Sequence, residues 1–146
     1  MTKLSKRERI VDRLFEKLKA LSKNKTEVFR NLDKPMKIPA NGLVILRDSE
    51  AAKEVASFLS PPTHIYELTL QLELVIQDER ASIRFQKVDM LISDIQAIIM
   101  KNRNLDELAE WVELRPAEFQ DEPIEGAASI RTAIIPLTIR FYSSDN

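Results

Sequence analysis

The chain has 146 residues, of which 44% are hydrophobic and 31% charged, a composition that predicts one folded globular domain spanning residues 1–146. The formal net charge is −1, so the chain has no net positive charge that would attract nucleic acid or a membrane surface over long range. Because the sequence contains no cysteine, it excludes disulfides, thiolate nucleophiles and thiolate metal sites.

The N-terminal segment predicts an amphipathic helix. Ser5 and Glu8 have the spacing of a capping box. A single apolar stripe with helical spacing then runs toward Asn24, formed by Ile10, Val11, Leu14, Phe15, Leu18 and Leu21. The residues before the helix lack the apolar core of a signal peptide, and no stretch is long enough to span a bilayer. We therefore expect a protein made in the cytosol, with no membrane partner.

The next third of the chain contains shorter elements. Val28–Asn31 is interpreted as a short edge strand and Leu43–Arg47 as a well-buried strand that follows an Asn-Gly turn signal. The segment Asp48–Leu59 leaves two alternatives open. It forms either a helix of one or two turns over Glu50–Val55 or an exposed excursion between two strands.

Two long alternating segments give the clearest signal in the sequence. Ile65–Gln77 and Ile130–Tyr142 each place apolar residues at every second position, which is typical of half-buried strands. The residues predicted to face inward are Leu68, Leu70, Leu72, Leu74 and Ile76 in the first strand and Ala133, Ile135, Leu137, Ile139 and Phe141 in the second. Both strands exceed the usual length of about five or six residues.

The segments between and beside these strands complete the predicted fold. A second helix is expected from after Asp78 to about Asn102, a short helix from Asn104 through Glu110, a short strand at Trp111–Leu114 and a loop over Glu118–Ala128. This order predicts an α+β domain, with a mixed or antiparallel sheet of about four strands and two main helices packed on one face. The residues expected to be buried together are Leu70, Leu72, Ile92, Ile95, Ile135 and Leu137.

Residues suited to catalysis are sparse. His64 is the single histidine, and it has no second histidine or cysteine with which to build an ordinary zinc site. Gly42 and Gly126 are too far apart to form a phosphate-binding loop. Glu67 and Glu73 lie on one strand face, but about 20 Å apart, which is too far to share a substrate bond. We therefore predict no enzyme activity, no catalytic or metal-binding residues and no cofactor.

Charge is unevenly distributed along the chain. Residues 1–25 contain nine basic and three acidic residues, whereas residues 104–126 contain eight acidic residues and one arginine. Two interpretations remain open: two solvated faces, or a head-to-tail contact in which the basic end of one subunit meets the acidic end of the next. The residues assigned to that contact are Arg9, Arg13 and Lys17 on one side and Glu118, Asp121 and Glu122 on the other.

An alternative function is a small nucleic-acid-binding module that uses the basic first helix. It predicts cations clustered on one exposed helix face and an affinity that falls steeply with salt. Glu8, Asp12 and Glu16 interleave with those cations, which favours a solvated helix instead. A third reading, a small hydrolase, lacks a credible nucleophile and base.

Several segments together resemble the tail terminator, or tail completion, proteins of long-tailed bacteriophages and prophages (the minor tail protein U-like family). They are Arg7–Ile10 in the first helix, Ser60–Glu67 leading into the first long strand, Leu105–Trp111 after the isoleucine-rich helix, and Glu125–Ala133 and Arg140–Ser143 at the two ends of the last strand. The resemblance covers most of the chain in element order and consists of strand and turn patterns.

The resemblance implies a small structural subunit that forms a hexameric ring. Such a ring binds the last ring of the tail tube, stops polymerisation and offers the surface that joins the tail to the head. The implied partners are further copies of the chain, the tail tube protein and the head–tail connector protein, with nucleic acid present only as DNA passing through the ring. The implied location is the virion tail, assembled in the bacterial host cytoplasm. On this reading the exposed arm Asp48–Leu59 touches the tube, with Asp48, Ser49, Glu50, Lys53 and Glu54 as candidate contacts.

Overall fold

The computed structural model describes residues 3–34, 36–59 and 61–143. In this part of the chain, two α-helices and seven strands form a single α+β domain, and all seven strands belong to one sheet. The elements are α1 (Lys6–Leu18), a 3-10 helix (Lys19–Asn24), β1 (Glu27–Arg30), β2 (Leu43–Arg47), β3 (Lys53–Leu59), β4 (Pro62–Gln77), α2 (Ala81–Lys101), β5 (Trp111–Leu114), β6 (Glu118–Glu122) and β7 (Ile130–Ser143).

A long antiparallel ribbon of β4 and β7 forms the centre of the sheet, with a register that runs from the pair His64 and Ser143 to the pair Gln77 and Ile130. Because β7 occupies one edge of β4, the strands β2 and β3 share the other edge, β3 at the start of β4 and β2 near its end. In the same way β5 and β6 share the free edge of β7. The strand β1 pairs in parallel with β2 and ends the sheet on that side.

The hydrophobic core lies between the ribbon and the two helices. Each inward position predicted for the two long strands is buried, with at most 3% of the residue exposed. Both helices contribute to the same cluster, α1 through Ile10 and Leu14 and α2 through Ile95 and Ile99. The predicted arrangement of two helices on one sheet face is therefore confirmed. Ile92 is the exception among the six predicted core residues, since it is only partly buried against the cluster.

The opposite face of the sheet carries a smaller apolar cluster near β2. There Leu43, Ile45 and Val75 form a smaller buried cluster, against which Leu32 and Ile38 from the preceding loop pack. Farther along the ribbon this face meets solvent, and Thr69 and Gln71 are exposed.

The start of α1 confirms half of the predicted capping box. The Ser5 side chain accepts a hydrogen bond from the Glu8 backbone N–H at 3.1 Å, as an N-cap does. The Glu8 carboxylate, however, binds the guanidinium of Arg30 on β1. A capping-box glutamate thus links the helix to the edge strand.

The strand count predicted from the sequence was too low, because the sheet formed by the described residues has seven strands where about four were expected. Two of the additional strands lie where a loop or helix was proposed: β3 replaces the suggested helix over Glu50–Val55, and β6 begins the predicted loop at Glu118. Every residue of both strands is exposed. A strand with two solvated faces has no hydrophobic alternation, so the periodic signal that identifies half-buried strands is missing.

The short helix predicted after Asn104 is also wrong. Leu105, Asp106 and Glu107 all adopt left-handed backbone conformations, with φ between 49° and 70°. These values cannot continue a right-handed helix. The turn buries Leu105 completely in the core while it directs Asp106 toward α1.

Candidate assembly interface

The basic residues of α1 assigned to a subunit contact are partly engaged within their own chain. Asp106 accepts a hydrogen bond from Arg13 at 2.8 Å and lies 3.0 Å from the ammonium of Lys17. The pKa of Asp106 lies below its ordinary value, mainly because of the hydrogen bond from Lys17 and secondly because of the one from Arg13. Arg9 is exposed, and no ion pair involves it among the described residues. Of the three predicted cations, Arg13 and Lys17 are therefore paired with Asp106.

Asp48 was expected in an exposed arm, and this expectation was wrong. Only 7% of the residue is exposed, because its carboxylate lies among Arg7, Arg30 and Asn31. The hydrogen bond from Arg30 is the main reason why the pKa of Asp48 lies below its ordinary value, with Asn31 and Arg7 adding to the effect. Asp48 thus fixes the base of the arm to α1 and β1.

The exposed part of the arm is β3 and the residues leading into it. Ser49 and Glu50 are exposed, although the Glu50 carbonyl accepts a hydrogen bond from Arg7 at 2.7 Å. Lys53 and Glu54 begin the strand, and the Glu54 carboxylate pairs with the ring of His64 on β4. The sequence alternative of an exposed excursion is therefore correct, and it is held as a strand against β4.

Apolar side chains on β3 face solvent. Val55 is 48% exposed, Phe58 57% and Leu59 91%. One hydrogen-bonding edge of the strand is taken by β4, and no other strand among residues 3–34, 36–59 and 61–143 pairs with the second edge. An open edge that carries exposed apolar side chains is a common site of strand addition or protein docking.

The acidic candidates lie on β6, at the other end of the ribbon. Asp121 is engaged within the chain, since its carboxylate lies 2.6 Å from the guanidinium of Arg131. That guanidinium also lies over the rings of Phe85 at 4.0 Å and Phe119 at 4.5 Å. Glu118 and Glu122 are exposed, and their carboxylates form no ion pair within the described residues. Of the three predicted acids, Asp121 is therefore the one that is paired within the described residues.

A groove near the start of α1 was not predicted from the sequence. It has a volume of about 740 Å³ and lies between residues 3–9 and the tip of the β4–β7 ribbon. Its lining includes the cations Lys3, Lys6, Arg7 and Arg9, the aromatic residues Tyr66, Phe141 and Tyr142, and one acid, Glu107. In the sequence, the cations on both sides of the N-cap Ser5 are the feature that could have indicated this groove. The sequence does not show that the start of β4 and the end of β7 form its opposite wall.

The remaining chemical features are limited. Among the described residues, no group of three or more histidine, cysteine, aspartate or glutamate side chains could hold a metal ion. In the same part of the chain, no helix is long and apolar enough to cross a membrane.

Comparison with known proteins leaves the family open. No protein-family model matches the chain, and no curated protein matches it. A solved structure described as the virion of a native gene transfer agent (GTA) particle contains a similar chain, with 11% identity, a TM-score of 0.46 and coverage of 89% of this chain and 92% of that one. A second solved structure has 16% identity, a TM-score of 0.47 and coverage of 94% of both chains. Both TM-scores are below 0.5.

Proposed function

We propose that the chain is a structural subunit of a phage or prophage tail, a tail terminator that caps the tail tube, stops its polymerisation and provides the surface for head joining. The observation that carries this proposal is β3, a strand of seven residues that is exposed along its whole length and paired with the ribbon strand β4. Together with the family resemblance of the sequence, this open edge favours recognition of another protein.

In this proposal the two ends of the arm have different roles. Asp48 and its arginine partners fix the base of the arm on α1 and β1. Phe58 and Leu59 stand at the other end, where β3 turns toward β4. An arm with an anchored base and an apolar end can contact a repeating protein surface without a reacting centre. In this proposal the repeating protein surface is the tail tube. Six copies of the chain form a ring, which also contacts the head–tail connector protein.

The nucleic-acid alternative receives less support from the geometry. It requires a run of cations along α1 that are free to bind phosphates. Arg13 and Lys17 are instead paired with Asp106. Arg7 is likewise engaged with Asp48 and Glu50.

The test is deletion of the gene from the phage or prophage genome that carries it, with complementation by variants and electron microscopy of the particles. Loss of the protein should give tails of abnormal length that do not join heads. Complementation with Phe58→Asp combined with Leu59→Asp should fail, although the variant folds, because two charges would be placed on the docking edge. The matched control is Met100→Asp, an apolar residue on α2 that is 66% exposed. Normal, head-joined tails in the deletion strain would refute the function.

A further inference from the structure

We infer that the groove at the start of α1 receives the acidic segment Glu118–Glu125 of a second copy of this chain, in a head-to-tail contact. The inference deepens the proposed function, on which it rests for its expectation of a homo-oligomer, by naming the two surfaces that meet. The charge contact predicted from the sequence included residues that are paired within the folded chain. The contact inferred from the structure uses only charges that form no ion pair among the described residues.

The available charges are complementary. Lys3 and Arg9 on the groove are exposed and take part in no ion pair among the described residues. Glu118, Glu122 and Glu125 on the acidic segment are exposed and are likewise without an ion-pair partner in the described part of the chain. The charges that the chain satisfies internally, including Arg13 and Asp121, are excluded from the contact.

Lys6 adds a partly buried cation to the groove wall. Its ammonium donates a hydrogen bond to the Tyr142 carbonyl at 2.5 Å. The pKa of Lys6 lies below its ordinary value, mainly because of burial and secondly because of repulsion from Arg9. Glu110 acts in the opposite direction and raises this pKa. A carboxylate placed in the groove would relieve the repulsion between these two cations.

The two surfaces cannot meet within one molecule. The groove lies where β7 ends, near Tyr142, whereas β6 pairs with the beginning of β7, near Ile130. Twelve residues of extended strand separate these points by about 40 Å. The contact must therefore join different copies, and because the two surfaces differ it is heterologous. Repetition of such a contact gives a ring when the rotation closes and a filament when it does not.

Charge exchange tests the contact directly. The groove variant combines Lys3→Glu and Arg9→Glu, and the strand variant combines Glu118→Lys and Glu122→Lys. Each variant alone should stay monomeric in sedimentation at concentrations where the wild type associates. A mixture of the two should associate again, because each then offers the complement of the other, and a chain that carries all four changes should associate by itself. The matched control combines Lys101→Glu with Asp89→Lys, two exposed charges on α2, and should associate as the wild type does.

Cross-linking tests the geometry independently, since the chain has no cysteine of its own. Leu4 lines the groove and is 60% exposed, and Gln120 lies on β6 between the two glutamates. With a short bis-maleimide, a mixture of Leu4→Cys and Gln120→Cys chains should give one mixed dimer, and the doubly substituted chain should give a ladder. Leu4→Cys with Ser93→Cys, an exposed position on α2, should give no such product.

The outcomes separate this inference from the proposed function. The inference is overturned if the wild type stays monomeric up to millimolar concentration, if the groove variant associates like the wild type, or if Leu4→Cys chains link only to each other in a two-fold contact. Suppose that the chain with all four charge substitutions assembles and that the cysteine variants cross-link as expected, but the deletion strain makes normal tails. The contact is then supported and the tail function is refuted.

Discussion

The carboxylate of Asp48 lies 2.7 Å from the guanidinium of Arg30, and this pair joins the end of β2 to the edge strand β1. Arg30 also binds Glu8 at 2.7 Å, so the same guanidinium reaches α1. Arg7 completes the link by donating to the carbonyl of Glu50 at the base of the arm. Three elements and the arm are thus fixed around one buried carboxylate.

Asp48→Asn should lower the free energy of unfolding by about 2–3 kcal/mol, because it leaves the partly buried Arg30 without half of its negative partners. Chemical denaturation measures the change. Asp33→Asn is the matched control, an exposed aspartate in the loop before β2, and it should change stability by no more than about 0.5 kcal/mol. Equal effects of the two substitutions would show that the Asp48 cluster does not stabilise the fold.

Stability should fall in acid through the same cluster. The pKa of Asp48 lies below its ordinary value of 3.8 mainly because of Arg30, and Arg30 also lowers the pKa of Glu8 below 4.5. Because the folded-state pKa values are depressed, the contribution is complete above the unfolded values and is lost as pH falls through them toward the folded ones. Denaturation at points from about pH 6 to about pH 2 should show this loss. The slope should be smaller in Asp48→Asn, and an unchanged slope would remove Asp48 from the explanation.

Truncation of the core should separate fully buried from partly buried positions. Leu72→Ala should cost about 2–5 kcal/mol through lost transfer free energy and a residual cavity, since Leu72 is completely buried. Ile92→Ala should cost less, because Ile92 lies at the edge of the same cluster. Urea denaturation of both variants provides the comparison. A change below about 0.5 kcal/mol for Leu72→Ala would contradict the register of β4.

A side chain at Gly42 should destabilise the fold. Its φ of +94° is unfavourable for other residues, and a Cβ there would lie 2.5 Å from the Ile76 Cδ1 atom. We expect Gly42→Ala to cost about 2–4 kcal/mol, combining backbone strain with overpacking. Gly126→Ala is the matched control, since its φ of +74° brings the strain while the space around it is open. Thermal unfolding of both should place Gly42→Ala well below Gly126→Ala, and the reverse order would contradict the packing of α2 and β4 around Gly42.

Local patterns in the sequence determined the central part of this protein. The alternation from Leu68 to Ile76 and from Ala133 to Phe141 identified the two ribbon strands and their buried faces, because successive strand residues point to opposite sides of a sheet. Ser5 located the start of α1 for a similarly local reason, since an N-cap binds a backbone group three residues ahead.

Only the tertiary structure showed that β3 and β6 are strands at the edges of the sheet and which charges are paired within the chain. The strands β3 and β6 are solvated on both faces, so their existence depends on hydrogen bonds from β4 and β7 and leaves no periodic trace. Asp106 meets Arg13 across 93 positions of sequence, and a left-handed turn is needed to bring them together. Asp48 is buried for the same kind of reason, because its arginine partners come from α1 and β1. The sequence showed which ends of the chain are basic and acidic, but ion pairing between distant residues determined which of those charges are paired within the fold.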